Sequence, residues 1–170
     1  MYKRQLLVDD RGAVWVGHFQ AGLDYSLYQN GLFQTYAYPP LFNSANLSIR
    51  SYVNRGHEKV IGSRDGLYYI NETTGVVKSF VKPVLTSDLI LTICFYEGEY
   101  YIGTYGGGMM VLNPETLSLK YFAQGGDGDA ELFQKGHIFC VRPDEKENLW
   151  IGTSQGLFCY NTVSYTHLRA

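Results

Sequence analysis

The feature that most constrains this 170-residue chain is a short string met four times. It reads VWVGHFQAGLDYSL from Val14, KVIGSRDGLYYIN from Lys59, YYIGTYGGGMMVLN from Tyr100 and LWIGTSQGLFCYN from Leu149. The first glycines, Gly17, Gly62, Gly103 and Gly152, are spaced by 45, 41 and 49 residues. A strand-bearing repeat of that period is the mark of an array whose units stack to bury their apolar faces.

The regularity extends beyond the string. A short apolar strand precedes each glycine, over residues 5–8, 48–53, 90–95 and 137–141, and a polar turn follows it. Aromatic-ended strands come after, over 32–36, 76–80 and 117–122. Each unit thus reads as four strands, a to d, joined by turn formers such as Glu97-Gly98-Glu99 and Asn113-Pro114-Glu115-Thr116. No run has a helical period. Strand b is apolar with little alternation, as expected when both its faces are covered. Its closing glycine permits a tight or positive-φ backbone. Fifteen Tyr and nine Phe suit a wedge of aromatic side chains between units. The repeat signature is carried by Trp15, Gly17, Gly62, Gly66, Gly103, Thr104, Trp150, Gly152, Thr153 and Gly156, all read as structural, with both tryptophans in the core.

These observations predict an all-β chain. The fold class is a β-propeller fragment of about four blades, each a four-stranded antiparallel meander. Blades 1 to 3 cover residues 5–36, 48–80 and 90–122, and an incomplete fourth covers 137–161. The segment VSYTHLRA at 163–170 breaks the pattern and reads as a non-native tail, with a genuine strand d as the alternative. Uncovered apolar faces at both ends of such an arc lead to the expectation of a longer parent protein.

Composition excludes several classes. Fourteen Lys and Arg against sixteen Asp and Glu leave a net charge of −2 and no basic stripe, so nucleic acid is not an expected partner. No apolar run approaches the length of a membrane span, so membrane contact is expected only through segments outside this chain. Cys94, Cys140 and Cys159 lack metal-ligand spacing and read as small hydrophobes in strands. The run Gly125-Gly126-Asp127-Gly128-Asp129 offers hard oxygens but lacks the later Glu of a calcium loop. Gly106-Gly107-Gly108 leads into a strand, where a phosphate loop needs a helix. No metal, cofactor or catalytic residue is expected.

The polar turn, Leu-Trp-Ile-Gly-Thr, then Gly-Leu and an aromatic, resembles the two-component regulator propeller repeat. Residues 148–160 match closely, 100–111 with Tyr101 for Trp, 13–23 with His18 for Thr, and 58–69 with Lys59-Val60 for Leu-Trp and Ser63 for Thr. The lead-in Leu85-Thr86-Ser87-Asp88-Leu89-Ile90 fits as well. The resemblance implies the sensor region of Bacteroides-type hybrid histidine kinases. In such proteins periplasmic propellers, anchored through an inner-membrane span, sense oligosaccharides and control polysaccharide-utilisation genes by phosphorelay. It further implies an oligosaccharide ligand, further blades in the same chain and a homodimeric parent. The kinase parts are absent from this sequence, so the segment itself is not expected to be an enzyme.

In a meander the b–c and d–a connections share one end. Long d–a connections at 37–47, 81–89 and 123–136 make that end the expected ligand or partner face. Sugars need polar groups for their hydroxyls and flat aromatics for their apolar faces. His18, Tyr38, Arg64, Asp65, Tyr105 and Gln155 supply both and are the candidate ligand residues. Two other readings stay open: a propeller-type lyase or glycoside hydrolase, which needs a His or carboxylate cluster, and a stand-alone protein-interaction propeller.

Overall fold

Short turns let each strand pair with the one before it, so sheets form in chain order. The computed structural model describes residues 3–9, 12–18, 23–26, 33–35, 48–122, 130–161 and 167–169. Its strands make four antiparallel sheets of four strands each. Sheet 1 comprises β1 (Lys3–Val8), β2 (Val14–His18), β3 (Leu23–Ser26) and β4 (Phe33–Thr35). Sheet 2 comprises β5 (Ile49–Arg55), β6 (Glu58–Ser63), β7 (Leu67–Asn71) and β8 (Val76–Phe80). Sheet 3 comprises β9 (Ile90–Tyr96), β10 (Glu99–Thr104), β11 (Met109–Leu112) and β12 (Leu119–Tyr121). A six-residue helix, α1 (Ala130–Lys135), leads into sheet 4, formed by β13 (Ile138–Pro143), β14 (Asn148–Thr153), β15 (Gly156–Asn161) and β16 (His167–Arg169).

The meander, the four-blade arc and the all-β class agree with the sequence pattern. Two elements do not. The fourth sheet was expected to end at Asn161, with a strand d beyond it as the alternative, and the structure matches the alternative: His167–Arg169 pairs with β15 through Phe158, Cys159 and Tyr160 and supplies an outer strand. Backbone pairing asks little of side chains, so a pattern built on side chains does not register so short a strand. Helix α1 is likewise too short to show a period. It is held by burial of Leu132 and Phe133 and stopped where the Gly136 amide bonds to the Leu132 carbonyl at 2.7 Å.

The core is three seams rather than one centre. Trp15, Leu23 and Ala13 of the first repeat meet Tyr52, Ile61 and Tyr68 of the second. Val60, Leu67 and Tyr69 meet Ile93, Tyr100 and Ile102 of the third. Tyr101, Met109 and Val111 meet Val141, Ile151 and Phe158 of the fourth. Aromatic rings bridge the seams as expected, with Trp15 5.1 Å from Tyr52 and Phe122 5.2 Å from Tyr160. The inner a strands of sheets 2 and 3 are also joined by a buried bond from the Ile93 amide to Ser51 Oγ at 2.7 Å.

The first glycine of the signature works differently from the expectation. Gly62, Gly103 and Gly152 do not have positive φ. What they provide is room. A Cβ on Gly62 would lie 2.5 Å from Ile90 Cγ2, and one on Gly103 would lie 2.6 Å from Thr92 Cγ2 and 2.7 Å from Ile138 Cγ2. The isoleucines that open sheets 3 and 4 therefore sit on the glycine of the sheet before.

Coverage explains the strand patterns. In β6 and β10 all five residues after the first are buried, as two neighbours require. In β14 burial alternates, because one face of sheet 4 has no neighbour among the described residues. Trp15 is accordingly buried while Trp150, expected in the core, is half-exposed. Both indoles are fixed by an aspartate six residues upstream, Trp15 Nε1 to Asp9 Oδ2 and Trp150 Nε1 to Asp144 Oδ2, each at 2.9 Å. Hydrogen bonds from Asn148, then from Trp150, hold the Asp144 carboxyl well below the usual carboxylate range.

Gly103→Val is expected to destabilise the protein by about 1–3 kcal/mol through overpacking of the seam. Gly152→Val is expected to cost less, since the one tight contact of its added Cβ is with the movable Cys140 Sγ at 2.6 Å. Urea denaturation of both variants checks this, and equal losses would place the role of the glycine in its own sheet. Asp144 has a folded pKa below its unfolded value of about 3.9, so its contribution is complete above that pH and fades as pH falls further. Asp144→Ala should therefore lower the urea midpoint at neutral pH, with the gap to the parent narrowing in acid. A gap that ignores pH would remove the carboxylate from the account.

Candidate functional site

The end of the arc that carries the b–c and d–a connections is shaped by one repeated turn. Ser63 Oγ donates to the Gly66 carbonyl at 3.0 Å and accepts from the Asp65 amide at 2.9 Å. Thr104 Oγ1 does the same with Gly108 at 2.9 Å and Gly107 at 3.1 Å, and Thr153 Oγ1 with Gly156 and Gln155, both at 3.0 Å. The hydroxyl of the signature is thus a clip across the b–c loop. Its second glycine, at φ 135° in Gly66, 68° in Gly108 and 131° in Gly156, adopts a backbone that other residues avoid.

At sheet 3 this loop is clamped from both sides. Thr86 Oγ1 donates to the Gly107 carbonyl at 2.7 Å and Ser87 Oγ to the Tyr105 carbonyl at 2.8 Å. From the other side the Gly108 amide bonds to the Gly136 carbonyl at 3.0 Å, and the Phe133 carbonyl occupies the space a Gly108 Cβ would need. Tyr105 stacks on His137 with ring centroids 4.0 Å apart, and the two residues form an isolated β-bridge. His137 Nδ1 is buried with no hydrogen-bond partner.

Beside this clamp lies a cleft of about 490 Å³ lined by Thr86, Gly106, Gly107, Tyr121, Gln134 and Lys135. Its walls come from the connection entering sheet 3, the b–c loop and outer strand of sheet 3, and the helix leading into sheet 4. Tyr121 is 56% exposed and offers a ring face, while the amide, ammonium and hydroxyl groups offer donors and acceptors.

The predicted ligand residues are only partly gathered here. Tyr105 flanks the cleft through Gly106 and is 49% exposed. Arg64 and Asp65 sit on the loop of sheet 2 and Gln155 on that of sheet 4, so none of these three lines the cleft. His18 was read as a loop residue but is the last residue of β2. Its side chain, all of Tyr38 and the aspartates of the Gly125–Asp129 run lie outside the described residues. The sequence reading missed Tyr121, Gln134, Lys135 and His137. Tyr121 was taken as part of an aromatic-ended strand and His137 as the first residue of strand a in the fourth unit, while Gln134 and Lys135 belong to a connection whose helix left no periodic signal.

Among the described residues no group of three His, Cys, Asp or Glu is placed to hold a metal ion. Burial pushes the Cys94 thiol up to about 11, so it stays protonated within the seam between sheets 3 and 4. No described helix is long and apolar enough to cross a membrane.

No family model and no curated protein matches the sequence. Solved structures do match the fold. The extracellular domain of the hybrid two-component system BT3049 from B. thetaiotaomicron is 25% identical with a TM-score of 0.72, over 98% of this chain and 23% of that one. The extracellular domain of the B. thetaiotaomicron system BT4673 is 17% identical with a TM-score of 0.66, over 98% and 27%. PorZ, a surface component of the type-IX secretion system of Porphyromonas gingivalis, is 14% identical with a TM-score of 0.71, over 98% and 26%. The chain thus spans about a quarter of the length of each. Its neighbours include extracellular domains of Bacteroides two-component systems, which is consistent with an extracytoplasmic location.

Thr104→Val keeps the shape of the side chain and removes the clip. The Gly107 amide then loses its acceptor in a buried turn, and a loss of about 1–3 kcal/mol is expected. Urea denaturation gives the energy, and hydrogen exchange at Gly107 reports the site. An unchanged exchange rate would show that the loop is held by its clamp alone.

Proposed function

We propose that this chain is part of the extracytoplasmic ligand-sensing propeller of a hybrid two-component sensor, and that its ligand is an oligosaccharide. The observation that carries the reading is the match to the BT3049 extracellular domain, with 98% of the chain superposed at a TM-score of 0.72. The repeat signature supports it independently of that match. The ligand class rests on the cleft: Tyr121 supplies a face on which a sugar ring stacks, and Thr86, Gln134 and Lys135 supply groups that meet hydroxyls. On this reading the protein faces the periplasm and is tethered to an inner-membrane kinase, to which ligand binding passes a rearrangement that leads to gene control. The segment itself binds and does not turn over its ligand.

The test is calorimetry with a panel of oligosaccharides. Binding of at least one is expected, with Tyr121→Ala weakening it about tenfold or more through loss of a stacking contact of the order seen for aromatic platforms. Binding that survives Tyr121→Ala and Lys135→Ala intact would move the site off this cleft. Absence of binding to every saccharide, together with capture of a defined protein partner, would favour the interaction-propeller reading.

A further inference from the structure

One irregularity recurs at the same register in all four sheets. The inner strand carries a β-bulge opposite the first glycine of the signature and the residue after it. Lys3 and Gln5 pair with His18 and Gly17, and Ile49 and Ser51 with Ser63 and Gly62. Ile90 and Thr92 pair with Thr104 and Gly103, and Ile138 and Cys140 with Thr153 and Gly152. The extra residues are Arg4, Arg50, Leu91 and Phe139. A bulge re-aims the side chain it inserts. Arg50 and Leu91 are accordingly half-exposed between buried neighbours, Ile49 and Ser51 in one sheet and Ile90 and Thr92 in the next. Both of those sheets are covered on two sides, so exposure belongs to the bulge position itself. Phe139 holds that position in sheet 4 and is 49% exposed. The bulge repeats and the residue on it does not.

Phe139 is the end of a row of rings. It meets the His137 ring edge to face at 6.3 Å, and His137 stacks on Tyr105, itself 49% exposed, at 4.0 Å. At the seam between sheets 2 and 3 the backbone frame is the same, with the Arg64 amide bonded to the Ser48 carbonyl as the Tyr105 amide is to that of Leu89 and the Ser154 amide to that of His137. There, however, the two facing positions hold Arg64 and Leu89, so the row of rings belongs to the seam between sheets 3 and 4. It borders the cleft at Gly106, which lines the cleft and whose missing Cβ would lie 3.6 Å from His137 Cε1.

We propose that Phe139 and Tyr105, set by His137, form a second sugar-stacking subsite, and that the ligand is a chain of sugar units laid along this seam from Tyr121 on the outer strand to Phe139 on the inner one. The inference rests on the oligosaccharide reading of the cleft and adds the length of the ligand and its direction. Outer and inner strands of a four-stranded sheet are three spacings of about 4.8 Å apart, or roughly 14 Å, farther than one sugar ring reaches. Aromatic faces at both ends with Gln134 and Lys135 between them suit a ligand that alternates apolar ring faces with hydroxyls. An apolar protein segment in the same place would cover Gln134 and Lys135 without offering them partners.

The test is calorimetry with cello-, xylo-, manno- and galacto-oligosaccharides of two to six units. In the series that binds, the tetrasaccharide should bind about tenfold or more tightly than the disaccharide, the gain expected of one added stacking contact. Phe139→Ala should abolish that gain and leave disaccharide affinity unchanged, while Phe139→Tyr keeps it. Tyr121→Ala should weaken both lengths. Phe139 is exposed, so its urea midpoint in the alanine variant should match the parent. The proposal is overturned, and the cleft reading kept, if the gain with length survives Phe139→Ala or if that variant weakens disaccharide and tetrasaccharide alike. If no member of any series binds, both this inference and the oligosaccharide reading fall.

Discussion

The contact on which this architecture depends is that of an isoleucine with a glycine in the sheet before it. Sheets packed face to face lie about 10 Å apart when ordinary side chains interdigitate. Ile90 over Gly62 and Ile138 over Gly103 let the inner strands approach more closely at one point than any Cβ would allow. That point sits at the b–c end of each seam, beside the hydroxyl clip. Elsewhere in these seams Tyr69, Tyr100, Tyr101 and Phe122 supply the bulk. A seam that is tight at a glycine and filled by aromatics elsewhere leaves each sheet one setting on the last.

Polar groups then lock what packing has set. At the a–b end of the seam between sheets 2 and 3, Glu58 accepts from Tyr69 at 2.8 Å and from Tyr100 at 3.1 Å and is paired with Arg55 at 3.2 Å. One carboxylate thus joins hydroxyls from two sheets. The cost of half-burying its charge is offset by three partners, and losing one would leave the others without their acceptor or ion. At the opposite end, Thr86 and Ser87 hold the backbone of the loop of sheet 3. Lys59, buried beside the first seam, is neutralised by Glu72. Specific pairing at both ends of an otherwise apolar seam fixes its register as well as its strength.

Legibility in the sequence followed the period. The four strands per unit, the antiparallel meander and the seam aromatics repeat every 40 to 50 residues, so alignment of the copies with one another exposed them. The role of the first glycine was misjudged because its cause lies outside the repeat, in the isoleucine of the following unit. Helix α1 and the cleft were hidden for a related reason. The connections between sheets share no period, and Gln134, Lys135 and His137 occur in one of them only. The Asp–Trp clip was within reach: Asp9 and Asp144 each stand six residues before the tryptophan, and both are missing from the two units that lack the Trp.

That division bears on the proposed function. On that reading, what repeats makes the scaffold and what does not repeat makes the site. The cleft is walled by the connection into sheet 3, the loop and edge of sheet 3 and the helix before sheet 4, so a molecule filling it touches the junctions of three repeats at once. Tyr105 and His137 tie the loop of sheet 3 to the start of sheet 4 from within the protein. A ligand shifts an equilibrium only by the difference in its affinity for the two states. A site confined to one rigid sheet offers almost no such difference. A site across seams does, because any change in the setting of sheet 4 on sheet 3 moves one wall against another. On the sensor reading, the seams that give the arc its stability are therefore also where binding energy is turned into a change of shape.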